Sequence, residues 1–340
     1  MEELTVIIPS DIAYNDSNDH CLGDECSCSI NVDYDILDSS LIIIYILFFI
    51  AGLVENTFVL WINWKIKKAK KASYFYVFNL AVADMGAVLT IPFRVMEISH
   101  NYQWLLGNFL CKLDAFLYCV NLYSSSFFLT YMTTERFFSL RYPDQALGSR
   151  DRRMRWLVCV CLWTLAVVLS IPHYFLYDIS ESWHTICFVD GITSWNIANF
   201  FVTFCGFVIP FPIIIVSNIL TTKASKASHD TESIRLSKLI SVYIIVFMLC
   251  WSPFYITTFI SAVDWSTNCN MATVISLLHD LGKCFTFSHC IVNPIFYNFM
   301  QKRFMYHLET NVVKFLPKKY VEEVDHVSIS SDTEQIVVIS

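Results

Sequence analysis

Charged residues are scarce in this chain: 16% of its 340 residues are Asp, Glu, Lys or Arg, while 55% are hydrophobic. An ordinary soluble domain has about 25% charged residues, so this balance is too apolar for one. The signatures of several other protein classes are missing as well. The sequence contains no nucleophile–base pair, no intramembrane protease motif and no inverted repeat, which argues against an enzyme or a transporter. Cys26-x-Cys28 lacks the spacing and the histidines of a zinc site.

Basic residues are absent from residues 1–40. A cleavable signal peptide needs a positively charged start and an apolar region, so we predict none and expect the first apolar run to act as a signal anchor. The segment carries ten carboxylates and is either a solvated, disordered tail or a region that attracts a basic ligand and speeds its binding. Asn15-Asp16-Ser17 fits a glycosylation acceptor, and Tyr14 and Tyr34 are candidate sulfation sites.

Seven apolar runs are each long enough to cross a bilayer as a helix. They cover roughly residues 41–64, 74–98, 112–135, 156–177, 196–220, 238–262 and 272–299. The sequence therefore predicts an all-α membrane protein whose residues 41–299 form a seven-transmembrane-helix bundle. The acidic tail (1–40) precedes the bundle, and an amphipathic membrane-surface helix (300–316) and a polar tail (317–340) follow it.

Lysine and arginine are distributed unevenly between the two ends of these runs. Five follow the first run, six the third, four the fifth and five the seventh, so 20 of the 23 lie on one side. Because basic residues favour the cytoplasmic side, this predicts an extracellular N-terminus and a cytoplasmic C-terminus. The net charge of -7 thus combines an acidic exterior with a basic interior surface, and it does not imply nucleic-acid binding.

Six of the 13 cysteines fall at the predicted outer surface, and the other seven lie within the apolar runs. The outer six are Cys21, Cys26, Cys28, Cys111, Cys187 and Cys269. An even number in an oxidising compartment indicates disulfide bonds. A thiol within a span is usually a small buried hydrophobe.

Polar residues at membrane depth are costly and normally face a bundle interior or a cavity. Asp84 in the second run is therefore a functional candidate. Asn121 and Ser125 lie one turn apart in the third run and are placed to face Asp84.

Pro294 interrupts the last apolar run. A proline cannot donate a hydrogen bond to the carbonyl of Cys290, four residues earlier, so we expect the helix to kink there. In lipid the freed carbonyl needs a polar partner, and His289 and Asn293 are the candidates.

Motifs in the apolar runs follow the order of one receptor family. The clearest are Leu80-Ala-Val-Ala-Asp84, Glu135-Arg136-Phe137, Phe247-Met-Leu-Cys-Trp251-Ser-Pro253 and Asn293-Pro294-Ile-Phe-Tyr297. Over about residues 41–315 the chain resembles the rhodopsin-like G-protein-coupled receptors. Thr90-Ile-Pro92 and Trp104-Leu-Leu-Gly107 are similar to the chemokine-receptor branch of that family.

Further stretches look like the atypical chemokine receptors, a group that includes an endothelial orphan receptor. They are Gly52-Leu-Val-Glu-Asn56, Asn121-Leu-Tyr-Ser-Ser-Ser-Phe-Phe-Leu129, Ile209-Pro-Phe-Pro212 with Asn218, and His289-Cys-Ile-Val-Asn-Pro-Ile-Phe-Tyr-Asn-Phe299. The Glu before Asn56 and the Asn at position 218 are unusual in the wider family.

The resemblance implies two outer disulfides. Cys111 would pair with Cys187 and tie the third span to the second outer loop. Cys269 would pair with an N-terminal cysteine, and Cys21, Cys26 and Cys28 are all open as its partner.

The resemblance also implies a sodium ion in the bundle core, held at Asp84. The polar group that would surround the ion consists of Asn56, Asp84, Asn121, Ser125 and Asn293. Their oxygen atoms are suitable ligands for a hard cation. A water-filled hydrogen-bond network without a metal is the alternative.

The outer ends of the spans supply the expected ligand pocket. Its candidate residues are Arg94, Glu97, Asp114, Trp251, Asp280 and Lys283, with Trp251 beneath the cavity. Arg94 replaces a Trp that is common in chemokine receptors, and Lys283 replaces an acid, so the ligand stays open. We expect Lys283 to pair with Glu97, Asp114 or Asp280, or to meet an acidic ligand group. A retinal-binding light sensor is disfavoured, because the opsin lysine position corresponds to Phe287.

The residues that couple a receptor to G proteins depart from the family pattern. The switch consists of Glu135, Arg136, Phe137, Asn218 and Tyr297, in which Asn218 and Phe137 stand where the family usually has tyrosines. We therefore expect a receptor that binds chemokine-like basic proteins and internalises them with weak or no G-protein signalling. A conventional peptide receptor is the alternative, because Arg136, Trp251 and Tyr297 remain.

Internalisation would place the receptor at the plasma membrane and in cycling endosomes. Arrestin is the expected partner, and an extracellular basic protein, such as a chemokine, the expected ligand. Phosphorylation in the polar tail would create an anionic patch for arrestin, and a solvated, unmodified tail is the alternative. The candidate sites are Ser328, Ser330, Ser331 and Thr333.

Overall fold

The computed structural model describes residues 21–22, 25–26, 34–65, 72–142, 152–180, 185–189, 191–227, 231–262 and 269–300. Its contacts group the chain into two units, Met1–Pro294 and Ile295–Ser340, and the second is described only over residues 295–300. The helices are α1 (Tyr34–Lys65), α2 (Ala72–Val88), α3 (Ile91–Ser99), α4 (Gly107–Arg141), α5 (Arg152–Leu176), α6 (Ile192–Thr203), α7 (Pro210–Ala227), α8 (Thr231–Ala262), α9 (Cys269–Thr286) and α10 (His289–Met300). The strands are β1 (Cys21–Leu22), β2 (Glu25–Cys26), β3 (Tyr177–Ile179) and β4 (Cys187–Val189).

The described helices form the seven crossings of an all-α bundle. Helices α1, α4, α5 and α8 each make one crossing, whereas α2 with α3, α6 with α7, and α9 with α10 make one crossing in two pieces. Within the described residues, five segments are long and apolar enough to span a membrane: Asp35–Trp61, Phe75–Ser99, Arg153–Leu176, Thr193–Ala227 and Ser233–Ser261. The other two crossings are more polar or shorter, since α4 carries Asn121 and Ser124–Ser126, and α9 and α10 have 18 and 12 residues.

The outward faces of the helices are apolar and the inward faces are aromatic. Ile43 and Val54 of α1 are 59% and 62% exposed, and Phe175 of α5 is 73% exposed. Such apolar surfaces fit lipid tails, which are as apolar as these side chains. Inside the bundle, Tyr123 and Trp251 are completely buried.

The first crossing is longer than predicted, since α1 begins at Tyr34 rather than at residue 41. Asp35 lies in the first turn, where a carboxylate is stabilised by the partial positive charge of a helix N-terminus. One turn further on, Ser40 Oγ donates to the carbonyl of Ile36 at 2.7 Å. The last residues of the acidic tail are therefore helical.

The second and fifth crossings bend next to prolines. Helix α2 gives way to α3 at Leu89–Thr90, where Thr90 Oγ1 donates to the carbonyl of Ala87 at 2.8 Å. Pro92 then lies in the first turn of α3, where its missing N–H is not needed. In the fifth crossing a single π-helical turn, Phe204–Val208, precedes Pro210, a feature that the sequence did not predict.

Gly206 in this π turn allows a close approach of three crossings. A Cβ atom at this position would lie 2.6 Å from both Leu122 Cδ2 of α4 and Tyr255 Oη of α8. Any larger residue would therefore require the Leu122 and Tyr255 side chains to move aside.

The last crossing breaks earlier than predicted. The turn lies at Phe287–Ser288, between α9 and α10, whereas Pro294 stands inside α10. The helix therefore breaks about two turns before Pro294, towards the end that the sequence predicts to be extracellular, which we call the outer end.

A disulfide anchors the outer end of α4. Cys111 is bonded to Cys187 of β4, which confirms that predicted pair. Strand β4 pairs antiparallel with β3, with Tyr177 opposite Val189. Strands β1 and β2 form a second hairpin, in which Cys21 is opposite Cys26.

Candidate functional site

Arg94 of α3 organises the outer end of the bundle. Its Nη1 donates to Glu97 Oε2 at 2.7 Å, and its Nη2 forms an ion pair with Asp114 Oδ2 of α4. Its guanidinium carbon also lies 5.9 Å from the ring centroid of Trp104. The Asp114 side chain is only 2% exposed, so its charge depends on this partner. We call Arg94, Glu97, Asp114, Asp280 and Lys283 the outer charge cluster.

Lys283 of α9 does not make the expected ion pair. In the described part of the chain, Glu97 and Asp114 pair with Arg94, and no carboxylate lies within the 4 Å ion-pair distance of Lys283. Its Nζ instead lies 5.4 Å from the ring centroid of Tyr118, a cation–π contact. The predicted ion pair of Lys283 is therefore wrong, because Arg94 holds Glu97 and Asp114. The contact of Lys283 with an acidic ligand group stays a prediction.

A cavity borders this cluster between α1, α3 and α9. Arg94, Glu97, Asp280 and Lys283 line it together with apolar and tyrosine side chains of α1. Tyr102, at its rim, donates to Asp38 Oδ1 at 2.8 Å. Burial and this carboxylate raise the pKa of the Tyr102 phenol, so the phenol remains a hydrogen-bond donor.

Trp251 of α8 lies between the outer charge cluster and the core of the bundle. Its ring centroid is 6.4 Å from that of Tyr118, and 4.8 Å from that of His289 in α10. Its side chain is fully buried, and its Nε1 has no hydrogen-bond partner among the described residues. The Trp251 ring therefore lies next to side chains of both polar regions.

Asp84 of α2 lies at the centre of a second, buried group of polar residues. Its Oδ1 accepts from Asn121 Nδ2 at 3.2 Å, and its Oδ2 accepts from Asn293 Nδ2 at 2.8 Å. His289 Nε2 is 3.4 Å from the same Oδ1 atom. We call Asn56, Asp84, Asn121, His289 and Asn293 the inner polar cluster; each is at most 2% exposed.

Asn56 of α1 satisfies the carbonyl that Pro294 leaves free. Its Nδ2 donates to the carbonyl oxygens of Cys290 and of Gly52, both at 2.9 Å. The predicted partners were wrong: His289 and Asn293 instead turn their side chains towards Asp84. Asn56 reaches this carbonyl from α1, while the side chains of His289 and Asn293 are engaged by Asp84.

The predicted sodium ligands come together only in part. Asp84, Asn121 and Asn293 are in contact, but both asparagines present NH₂ groups to the carboxylate rather than oxygens. Ser125 is buried, and its hydroxyl has no hydrogen-bond partner within the described residues. This spare oxygen suits a sodium ion, whereas the neighbouring imidazole does not.

His289 is the residue of this cluster whose role the sequence analysis missed. It precedes Asn293 by four residues, so the two share one face of α10. That spacing was a usable signal, since Asn293 had already been assigned to the Asp84 group.

The opposite end of the bundle contains the predicted coupling residues. Asn218 of α7 accepts from Ser241 Oγ of α8 at 3.2 Å through its Oδ1. Ser225 and Ser237 join the same two helices by a 2.5 Å hydrogen bond, and Thr134 Oγ1 of α4 lies 3.2 Å from Ser217 Oγ.

Arg136 and Phe137 lie at the same end of α4. Arg136 Nε is buried, with no hydrogen-bond partner among the residues that the structure describes. The ring of Phe137 packs on that of Phe138, with centroids 5.4 Å apart. Glu135 precedes them on the same helix.

Several predicted sites lie outside the described residues. They are Asn15, Cys28, the side chains of Cys269 and Tyr297, the amphipathic helix of residues 301–316, and the phosphorylation candidates Ser328, Ser330, Ser331 and Thr333. The second outer disulfide therefore stays a prediction.

The seven crossings, the outer disulfide and the Asp84 group are those of a known class. Residues 55–297 match the family model of the 7 transmembrane receptor (rhodopsin family), and the chain belongs to that family. It is a receptor and not an enzyme.

Individual proteins of the family share less than a third of their aligned residues with this chain. Human G-protein coupled receptor 182 is 31% identical over 304 residues, covering 87% of this chain and 75% of that protein. Human atypical chemokine receptor 3 is 28% identical over 348 residues, covering 96% of each. Type-1 angiotensin II receptor A of Xenopus laevis is 27% identical over 309 residues, covering 86% and 84%.

Proposed function

We propose that this receptor binds a chemokine-like basic protein at the cell surface and internalises it with weak or no G-protein signalling. The observation that carries the proposal is the hydrogen bond between Asn218 of α7 and Ser241 of α8. The similarity to a receptor named as an atypical chemokine receptor supports the ligand class.

The Asn218 contact bears on signalling because G proteins bind a cleft that opens when the sixth crossing moves outwards. In the family, a tyrosine at this position helps to hold the span-3 arginine in the open form. Asn218 has no aromatic ring, is shorter, and its Oδ1 already accepts from α8. Loss of even about 1–2 kcal/mol of bias reduces the open population several-fold or more.

A second hydrogen bond between the same helices works in the same direction. Ser225 and Ser237 are both buried and only 2.5 Å apart. Opening the cleft breaks this contact and leaves two hydroxyls to find new partners. Together the two contacts favour the closed arrangement of α7 and α8.

The charge distribution supports a basic ligand. Residues 1–40 contain ten carboxylates and no lysine or arginine. An acidic segment raises the association rate of a basic protein more than its affinity, which suits a receptor that removes dilute ligand. In the outer charge cluster the three carboxylates outnumber the two basic side chains, Arg94 and Lys283.

Uptake requires a trafficking partner, for which we propose arrestin. Ser328, Ser330, Ser331 and Thr333 stand among acidic residues in the polar tail, and phosphorylation would add a dense anionic patch there. On this account the receptor cycles between the plasma membrane and endosomes.

The test follows two signals in cells that express the full chain. A panel of labelled basic chemokines is added, and both their depletion from the medium and the dissociation of G proteins are recorded. We expect depletion of at least one chemokine without dissociation. Uptake equal to that of untransfected cells across the whole panel contradicts the proposal.

A conventional peptide receptor is the second candidate. It is favoured by the similarity to a type-1 angiotensin II receptor and by the presence of Arg136 and Trp251. In the same experiment, ligand-driven dissociation of G proteins would support this candidate instead.

A further inference from the structure

Three side-chain atoms of different chemistry meet beside the inner polar cluster. His289 Nε2 lies 3.4 Å from Asp84 Oδ1 and 3.6 Å from Cys290 Sγ, and all three atoms are within 4.8 Å of one another. The three residues are at most 1% exposed. Ligand atoms around a tetrahedral zinc ion at bond lengths of about 2.0–2.3 Å are about 3.3–3.7 Å apart. The observed separations fall close to that range.

The hydrogen bonding of His289 determines which of its nitrogens is available. Its Nδ1 is within hydrogen-bond distance of the carbonyl oxygen of Thr286. A carbonyl only accepts, so Nδ1 must carry the hydrogen. In the neutral imidazole, Nε2 then directs a lone pair towards the Asp84 carboxylate. Two electron-rich atoms at 3.4 Å repel each other unless a proton or a metal ion lies between them, so the pair can hold either one.

The sulfur atom of Cys290 indicates which kind of metal ion suits the site. Sodium prefers a shell of oxygens, but Asp84 is surrounded by two amide NH₂ groups, an imidazole and a thiol. Imidazole and thiolate ligands favour transition metals such as zinc. A carboxylate and a thiolate also neutralise a divalent ion, and a neutral complex is the form that a low-dielectric interior tolerates best.

We propose that Asp84, His289 and Cys290 form a binding site for a divalent transition-metal ion of the zinc type. On binding, the Cys290 thiol releases its proton to water and its sulfur bonds to the metal. A water molecule would complete a tetrahedral shell. The carbonyl of Thr286 is the outer partner that orients the imidazole, as is usual for metal-bound histidines.

The site would join two crossings directly beneath Trp251. Asp84 belongs to α2 and the other two ligands to α10, and the His289 ring is 4.8 Å from the Trp251 ring. A bound ion therefore stabilises the bundle and changes the surroundings of Trp251. This inference stands independently of the proposed ligand and of uptake.

The experiment uses the purified full chain in lipid nanodiscs after treatment with a chelator. Cobalt(II) is added as a spectroscopic probe, and zinc is then added to displace it. We expect one equivalent of cobalt to give the visible bands of a tetrahedral ion and a thiolate-to-cobalt charge-transfer band. Zinc should remove both, raise the unfolding temperature with increasing concentration, and alter tryptophan fluorescence.

Matched cysteine variants assign the signal. Cys290→Ser should abolish the charge-transfer band and weaken zinc binding by at least about tenfold, because even outer partners of metal ligands contribute that much. Cys119→Ser removes another buried thiol, in α4, and should leave both readouts unchanged.

A second measurement needs no variant. In the wild-type receptor, bound zinc should protect Cys290 from alkylation under partly denaturing conditions, as mapped by mass spectrometry. The proposal is overturned if one-to-one binding is absent, or if Cys290→Ser binds as tightly as the wild type. It is also overturned if sodium alone raises the unfolding temperature and zinc does not, since the site would then select a hard cation.

Discussion

The outer charge cluster and the inner polar cluster bury carboxylates in different ways. Asp114 is held by the full charge of Arg94, whereas Asp84 accepts hydrogen bonds from the neutral amides of Asn121 and Asn293. In the described residues, no lysine or arginine pairs with Asp84. Asp114 is therefore balanced by a permanent charge, whereas the described partners of Asp84 are two amides and an imidazole.

This difference separates two roles in one bundle. A ligand group that enters the outer cavity must compete with an existing ion pair, so charge there selects partners. A substitution at Asp84 instead changes hydrogen bonds to amides, within the described part of the chain. Trp251 contacts both regions through Tyr118 and His289 and is the physical link between them.

The largest effect on stability is expected from breaking the ion pair between Arg94 and Asp114. Arg94→Ala leaves Asp114 buried without its partner and should lower the free energy of unfolding by about 3–5 kcal/mol. Thermal unfolding of the purified receptor measures this. The double variant Arg94→Ala with Asp114→Asn serves as the control and should recover part of the loss. A single variant as stable as the wild type would show that the pair is not needed.

A smaller loss is expected where the inner cluster supports the backbone. Asn56→Ala leaves the Cys290 carbonyl without its side-chain donor and should cost about 1–3 kcal/mol. Asn199→Ala is the matched control, because Asn199 is buried but its Nδ2 has no hydrogen-bond partner in the described part of the chain. Equal unfolding temperatures for the two variants would contradict the role given to Asn56.

The inner carboxylate itself should be the easiest to replace. Asp84→Asn keeps the shape of the side chain, and its new NH₂ group can donate to His289 Nε2 once the Asn121 amide turns its oxygen towards it. We expect the free energy of unfolding to change by less than about 1 kcal/mol in metal-free buffer. Asp114→Asn, which strips Arg94 of a charged partner, should be clearly more harmful under the same conditions. A larger loss of stability for Asp84→Asn than for Asp114→Asn would contradict the contrast between the two clusters.

Much of the architecture was accessible from the sequence because membranes constrain it strongly. Long apolar runs predicted the seven crossings, and motif order predicted the Cys111–Cys187 bond. The π turn at Phe204–Val208 and the break at Phe287–Ser288 left no such signal. Both depend on how neighbouring helices pack, as the contacts of Gly206 with α4 and α8 illustrate.

The ion-pair and hydrogen-bond partners within each cluster were harder to predict from the sequence than the members of the cluster. The charges of the outer cluster were all identified, yet Arg94 rather than Lys283 pairs with the acids. The polar core was likewise identified, yet Asn56, more than 230 positions away, satisfies the Cys290 carbonyl. Such choices depend on rotations and shifts of one helix against another, which periodicity alone does not specify.

The coupling end offers the most direct test of the central claim, that Asn218 keeps the receptor silent. Asn218→Tyr restores the aromatic side chain and removes the acceptor of Ser241, whereas Ser241→Ala removes only the hydrogen bond. G-protein dissociation and ligand uptake would be measured together for both variants and the wild type.

We predict that Asn218→Tyr raises dissociation several-fold, as about 1 kcal/mol of bias implies. Ser241→Ala should raise it less, and uptake should persist in both. A wild-type receptor that already couples fully, or an Asn218→Tyr variant as silent as the wild type, would contradict the account.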